Sequence, residues 1–301
     1  MKKVIVTILC VLIVLIVAVV GLFGAMGYYS YVGIPGKAEA PAVAEDGSIV
    51  IMSANIRRQE KFVNFNKMDM GTHRWWKRAQ YYLENIKTVA PDILGAQEVQ
   101  AGQYEFLTSH LEGYGSVVCY RDKKGSRSES CPIFYNEARF ELLDSGTFWL
   151  SDTPDVMSKF EESWHYRICT FARLQDKDGS VFTVYNVHPD YRIEDVRIRQ
   201  LAVLADRVRK AEENVIVTGD FNAEKGEKCL EPFEELLKDS KDFAGVTFGY
   251  TFNGFGVKPG EGIDFIYLPK SATLKETGIL KKLYHGVYPS DHYPIFARFT
   301  L

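Results

Sequence analysis

No charged residue separates Lys3 from Lys37, and Val4–Val20 is apolar but for Thr7. A helix rises about 1.5 Å per residue, so about 20 such residues cross the hydrocarbon core of a bilayer. This stretch divides the chain into a membrane-length segment and everything that follows it. Lys2 and Lys3 precede the run, which by the positive-inside rule keeps the N-terminus cytoplasmic and sends the rest across. Two readings follow. Residues 1–27 form an uncleaved signal anchor, giving a single-pass membrane protein with an extracytoplasmic domain. Alternatively they form a signal peptide, with Ala25-Met26-Gly27 as a small-x-small cleavage site, and the protein is secreted. The run exceeds the usual signal core of about 7–15 residues, which favours the anchor.

Beyond it, residues 28–47 are rich in Gly, Ala and Pro and read as a tether. Residues 48–301 show no second linker, repeat or low-complexity tract, and read as one domain with a sizeable core. With 46% hydrophobic and 25% charged residues, the chain is neither wholly disordered nor a coiled-coil rod. Lys and Arg total 36 against 39 Asp and Glu, a net charge of −3. That gives no support for non-specific grip on nucleic acid, but allows an enzyme with a local basic patch. Of five cysteines, Cys10 lies in the apolar run. Cys119, Cys131, Cys169 and Cys229 are either buried thiols or paired in an oxidising space, with Cys119 and Cys131 flanking a polar loop. No Cys-x-x-Cys or His-Glu-x-x-His motif occurs, so a structural zinc site is not expected.

The domain alternates strands and helices. Apolar runs predict strands at 49–55, 92–96, 139–150 and 215–218, with further strands at 262–268 and 293–301. Hairpins are expected from 116–120 with 131–135, and from 168–174 with 180–187 around Asp176-Lys177-Asp178-Gly179. Amphipathic spacing predicts helices over 74–89 and 194–210, and another from about Gln100 to Leu111. Many strands and few helices suggest an α/β arrangement of two packed sheets with helices outside.

Polar residues recur where these strands end: Asn55, Glu98, His188, Asp220 with Asn222, Asp264, and Asp291-His292. Any one is ordinary loop chemistry. Together they are acids, amides and two histidines, with no obvious serine or cysteine nucleophile. Hard oxygen donors suit Mg²⁺ or Mn²⁺, and a histidine with a spare carboxylate suits activation of water. The set points to metal-assisted hydrolysis at phosphorus.

Six motifs carry a resemblance. Ser53-Ala54-Asn55-Ile56-Arg57, Gly95-Ala96-Gln97-Glu98-Val99, Asn186-Val187-His188, Gly219-Asp220-Phe221-Asn222, Ile263-Asp264-Phe265-Ile266 and Ser290-Asp291-His292-Tyr293-Pro294 occur in the order seen in the endonuclease/exonuclease/phosphatase superfamily, which the chain resembles. Phe148-Trp149-Leu150-Ser151, Pro154-Asp155 and Arg167 resemble its bacterial branch. The resemblance implies a four-layer α/β sandwich of the pancreatic-deoxyribonuclease type, with two mixed sheets flanked by helices. It implies Glu98, Asn55 and Asp291 as metal ligands, with Asp220 orienting or deprotonating water. Asn222 and His188 would hold phosphate, and His292, steered by Asp264, would contact the scissile phosphate. Arg57 and Arg167 would be further phosphate contacts, or surface or structural arginines. Where many bacterial relatives carry a final His in the third motif, this chain has Tyr191. His73, His110, His165 and His285 read as structural or surface residues.

The expected function is a membrane-tethered, divalent-metal-dependent phosphoesterase. Its substrate is nucleic acid, a phospholipid headgroup or a small phosphate ester, and no protein partner is implied. The competing reading is a non-catalytic binding module on the same fold, which would predict loss of Glu98, Asp220 or His292.

Overall fold

The computed structural model of the chain describes residues 2–32, 36–59, 70–257 and 260–301. Its first unit, up to Gly36, holds α1 (Lys2–Val32). Lys2–Leu22 has a mean hydropathy of 3.4 over its most apolar window, long and apolar enough to cross a membrane, a property that anchors and signal sequences share.

The second unit, Lys37–Leu301, begins with β1 (Ala38–Glu39) and β2 (Ile49–Asn55), then α2 (Trp75–Val89), β3 (Ile93–Gln97), α3 (Ala101–His110), β4 (Leu111–Glu112), β5 (Tyr114–Val117) and β6 (Ile133–Asn136). It continues with β7 (Phe140–Trp149), β8 (Ile168–Asp176), β9 (Val181–Val187), α4 (Glu194–Lys210) and β10 (Asn214–Asp220). It closes with α5 (Glu231–Leu236), β11 (Lys238–Asp239), α6 (Ser240–Ala244), β12 (Asp264–Leu268), β13 (Thr273–Ile279) and β14 (Ile295–Thr300).

The start of this unit differs from the tether expected over 28–47. Residues 33–35 lie outside the described residues, and residues 28–32 belong to α1. β1 pairs parallel with β4, and Ala38 is 2% exposed. The folded unit therefore begins at Lys37 rather than Ser48, because the Leu111–Glu112 edge supplies partners for backbone that composition alone assigns to a linker.

Two six-stranded sheets form the centre, in the orders β13-β14-β2-β3-β6-β5 and β11-β12-β10-β9-β8-β7. In each, one parallel pair sits among antiparallel neighbours: β2 with β3, and β9 with β10. A parallel pair requires a crossover connection. Helices α2 and α4 supply it. The sheets pack face to face through Ile51, Ile93 and Ile133 on one side and Phe182, Val184, Ile216 and Ile266 on the other. Alternate residues of the second sheet, Val215 and Val217, pack outward with Leu201, Leu204 and Val208 of α4. On the first sheet α2 buries Trp75, Tyr82 and Ile86, and the Tyr82 hydroxyl donates to the Ala54 carbonyl at 3.0 Å. The result is the four-layer α/β sandwich. Exposed β13 and the short helices α5 and α6 lack the apolar periodicity that marks the other elements.

The two sheets come closest near one end. A Cβ on Gly95 would lie 2.4 Å from Thr218 Oγ1. There Gln97 Nε2 donates to Asn186 Oδ1 at 2.7 Å, and Asn186 Nδ2 donates to the carbonyls of Ala96 and Pro132 at 2.8 and 2.9 Å. Away from this tie, buried Arg139 donates to Asp176 and Asp92, and to the Ser48 and Gly47 carbonyls. Removing one partner of a buried ion pair typically costs about 3–5 kcal/mol, because the remaining charges keep their desolvation cost. Arg139→Met is expected to lower unfolding free energy by about that amount, as read by urea denaturation, because it strands two buried carboxylates. A loss under about 1 kcal/mol would show that Asp92 and Asp176 protonate or find water at little cost.

Candidate active site

Register brings the polar strand ends together. In the parallel pair β2/β3, Asn55 lies beside Gln97, with Glu98 next in the chain. In β9/β10, Gly219 lies beside Val187, with Asp220 and His188 following. Antiparallel β12 begins at the same end, with Asp264 opposite Asp220. The segment before β14 adds Asp291 and His292. Arg57, Glu98, Arg167, His188, Asp220, Asn222, Asp291 and His292 all line one cavity of about 490 Å³. Asn55 and Asp264 stand behind it, hydrogen-bonded to Asp220 and His292 respectively.

Asp220 is the hub. Its Oδ2 accepts from Asn55 Nδ2 at 2.9 Å and lies 3.5 Å from His292 Nε2 and 3.7 Å from His188 Nε2. Its Oδ1 accepts from the Asn222 N–H at 3.0 Å. The two histidines differ in charge. Burial disfavours the His292 imidazolium, but Asp264, at 2.9 Å from Nδ1, and Asp220 overcome it and push the pKa up to about 10. Burial and nearby Arg167 hold His188 well below its usual value, so it is neutral near pH 7. Burial raises the Asp220 carboxyl, with Asp264 adding to the rise and His292 opposing it.

Glu98 is held ionised by its neighbours. Burial opposes its charge, but Arg57, Arg58 and the Arg58 N–H outweigh it and hold the carboxyl well below the usual range. Its Oε2 accepts from the Arg58 N–H at 3.0 Å, and Asn55 Nδ2 lies 3.3 Å from its Oε1. Asp291, 3% exposed, faces Arg57 Nε at 3.7 Å. Two carboxylates at the cavity wall are hard oxygen donors that suit Mg²⁺ or Mn²⁺. Asn55 fits less directly: its Oδ1 accepts from the Arg57 N–H at 2.8 Å and its amino group faces the carboxylates, so ligation through oxygen requires the amide to turn over. Asp220, Asp264 and His292 also place ligand atoms within 4.8 Å of one another. Within that trio Asp264 Oδ2 lies 2.9 Å from His292 Nδ1 and Asp220 Oδ2 3.5 Å from its Nε2, and the two acids favour the imidazolium.

Backbone conformation sharpens the site. Arg57, Glu98 and Asn222 have φ of 56°, 62° and 50°. Non-glycine residues rarely adopt this left-handed region, and such strain clusters at functional sites. Ser290 Oγ donates to the Asn55 carbonyl at 2.6 Å, and buried Arg78 donates to the carbonyls of Ile56, Arg57 and Pro289, joining the loop after β2 to the loop before β14.

The cavity is also lined by Arg58, Arg121, Glu129 and His165, which the sequence gives no site role, and by Tyr191 and Phe252. His165 lines the cavity rather than being purely structural. Tyr191 replaces a histidine yet keeps a place in the wall. Among the described residues no strand covers the aromatic segment 248–255. Phe252 instead packs on His292 with ring centroids 5.1 Å apart. His73, His110 and His285 stay outside the cavity, the first stacked on Phe255. The five cysteines are free thiols, three of them buried.

The sequence profile of the Endonuclease/Exonuclease/phosphatase family matches residues 52–292. Protein angel of Drosophila melanogaster is 26% identical over 64% of this chain and 57% of its own length. A CCR4-Not 3'-5'-exoribonuclease subunit Ccr4 of Mycosarcoma maydis is 27% identical over 75% of this chain and 46% of its own. The chain thus spans about half the length of these relatives. Among solved structures, an endonuclease/exonuclease/phosphatase from Bacteroides vulgatus superposes with TM-score 0.76 at 28% identity, covering 84% of this chain and 99% of that one. A mannosyl-6-phosphatase of Bacteroides thetaiotaomicron gives TM-score 0.72 at 25% identity, covering 84% and 100%.

The His292–Asp264 pair makes a direct prediction. In metal-free protein the His292 ring is expected to stay protonated through pH 8, and Asp264→Asn to bring its titration down toward the ordinary histidine range, as followed by NMR. An unchanged titration in the variant would assign the proton's hold to Asp220 alone.

Proposed function

The chain belongs to the endonuclease/exonuclease/phosphatase family, hydrolases that act on phosphoester bonds, and from that premise we propose that it is a divalent-metal-dependent phosphoesterase in which water attacks phosphorus. The observation that carries this reading is Asp220 Oδ2, faced by Asn55, a neutral His188 and a charged His292, beside the ionised Glu98. Glu98 and Asp291, with Asn55 after an amide turn, would hold Mg²⁺ or Mn²⁺. When bound, that ion supplies charge to polarise a phosphoryl oxygen and ease departure of the leaving oxygen.

The remaining work falls to the chain's own groups. Asp220 orients the attacking water and accepts its proton. Its raised pKa brings it nearer the neutral range, where a general base works best. His292 donates from Nε2 to the phosphate, held in that role by Asp264 at Nδ1. Neutral His188 contacts the phosphate from the other side. Asn222 turns its amino group from the Pro189 carbonyl, 3.2 Å away, to a phosphate oxygen. Arg57 and Arg167 supply cationic contacts from the cavity wall.

Nucleic acid, a phospholipid headgroup and a small phosphate ester all present the required bond. The mannosyl-6-phosphatase likeness, which spans that whole chain, supports the small ester. Glu98, Asp220 and His292 are all present and assembled, which argues against a binding module without catalysis. The apolar helix supports a membrane anchor with the domain on the extracytoplasmic side.

The detergent-solubilised chain with Mg²⁺ or Mn²⁺, offered nucleic acids, phospholipids and sugar phosphates, is expected to turn over one class. Glu98→Ala should abolish that metal-dependent turnover, and undiminished activity would place the ion elsewhere. His292→Ala should lower kcat by about 10²–10⁴-fold, the usual span of general acid–base assistance. A near-wild-type rate would remove His292 from the chemistry. In cells, the chain should remain with membranes at full length. A soluble form beginning near Tyr28 would identify a cleaved signal.

A further inference from the structure

A second chamber of about 490 Å³ opens beside the catalytic cavity. The two share Arg58, Arg121, Glu129 and His165 as a common wall. The charged residues lining the second chamber are Arg58, Arg121, Lys124 and Arg127, against the carboxylate of Glu129, and Lys124 Nζ also pairs with Asp122 at 3.4 Å. This concentration of cations stands out in a chain whose net charge is −3.

The wall is built rather than incidental. Glu129 is 4% exposed and grips Arg121 through both guanidinium nitrogens, at 2.5 and 2.8 Å, while Arg58 Nη1 approaches it at 3.4 Å. One carboxylate thus orients two guanidinium groups at the common wall. Arg121 Nε is buried with no hydrogen-bond partner among the described residues. Next to it, Arg167 is 4% exposed and has the same orphaned Nε, but it lines the catalytic cavity, with its guanidinium 5.9 Å from the Tyr191 ring. His165 registers the same field: burial, then Arg121, Arg167, Lys124 and Arg58, push its pKa down to about 4. At the outer edge Lys124 and Arg127 are exposed, on a loop fixed by Arg121 N–H donating to Glu129 O at 2.9 Å and by Trp149 Nε1 donating to Arg121 O at 2.9 Å.

We propose that this chamber is a second anion subsite, which seats a phosphate other than the one that reacts, so that preferred substrates carry two phosphoryl groups. Arg121 supplies the fixed guanidinium at the inner wall, and Lys124 with Arg127 close the outer edge. Planar guanidinium forks suit phosphate oxygens, and lysine adds a point charge. The proposal rests on the reading of the neighbouring cavity as the reacting centre.

The test uses the full chain in detergent with Mg²⁺ and two matched pairs of substrates. One pair is fructose 6-phosphate and fructose 1,6-bisphosphate. The other is a dinucleotide with and without a 5′-phosphate, which separates a metabolite from a nucleic-acid source. In at least one pair, the two-phosphate member should show a KM about tenfold lower at similar kcat, the worth of one charge-assisted contact. The exposed double variant Lys124→Gln/Arg127→Gln should erase that advantage and leave the one-phosphate partner unchanged. Equal KM values within both turned-over pairs, or equal losses for both partners in the variant, would overturn the proposal while leaving the phosphoesterase reading intact. If neither pair is turned over, inorganic phosphate titrated against the His165 ring signals decides. A shift present in the wild type and lost in the double variant keeps the subsite and points to a substrate outside both pairs. No shift in the wild type overturns it.

Discussion

The site depends on a polar tie between two sheets. Gln97 and Asn186, both fully buried, face each other across the interface, and Gly95 opposes Thr218 where no side chain larger than hydrogen fits. Apolar packing holds the sheets together but is non-directional and sets no exact offset. Hydrogen bonds between fixed partners do, because a slip of one residue would strand buried amides. The polar residues of the cavity follow at once in the chain: Glu98 after Gln97, His188 two positions after Asn186, Asp220 two after Thr218. Register below the floor becomes geometry above it.

The chemistry of the floor comes from burial acting on unequal neighbours. Two histidines flank one carboxylate, yet one is charged and the other neutral. The difference is Asp264 behind His292 and Arg167 near His188. Pairs of like groups whose surroundings drive them apart are how a single pocket holds both proton donors and acceptors at one pH. Glu98 completes the pattern, kept ionised by arginines on the loop that follows β2.

Much of this was legible in the sequence because the decisive residues sit at the ends of apolar runs. Asn55, Glu98, His188, Asp220, Asp264 and His292 each follow or open a strand whose hydrophobic pattern is plain. The parallel pairs then carry their ends to one rim. The second chamber was not legible. Arg121, Lys124 and Arg127 lie in a polar loop that reads as solvent-facing, and the Glu129, Trp149 and Gln100 contacts turn it toward the site. His165 is isolated in sequence and joins the wall through tertiary packing alone. The left-handed backbone at Arg57, Glu98 and Asn222 leaves no trace in residue type, since none is glycine. Ala38–Glu39 lacks side chains that advertise a strand, so the domain boundary was set too late.

Arg139 adds a consequence of a different kind. It gathers Asp92, Asp176 and the carbonyls before β2 into one buried cluster that shares no residue with the catalytic cavity. Inheritance can therefore treat the two regions separately. Mutations that redraw the loops around the cavity rim leave the clamp's ion pairs in place, so what the cavity admits can change while the buried cluster stays intact.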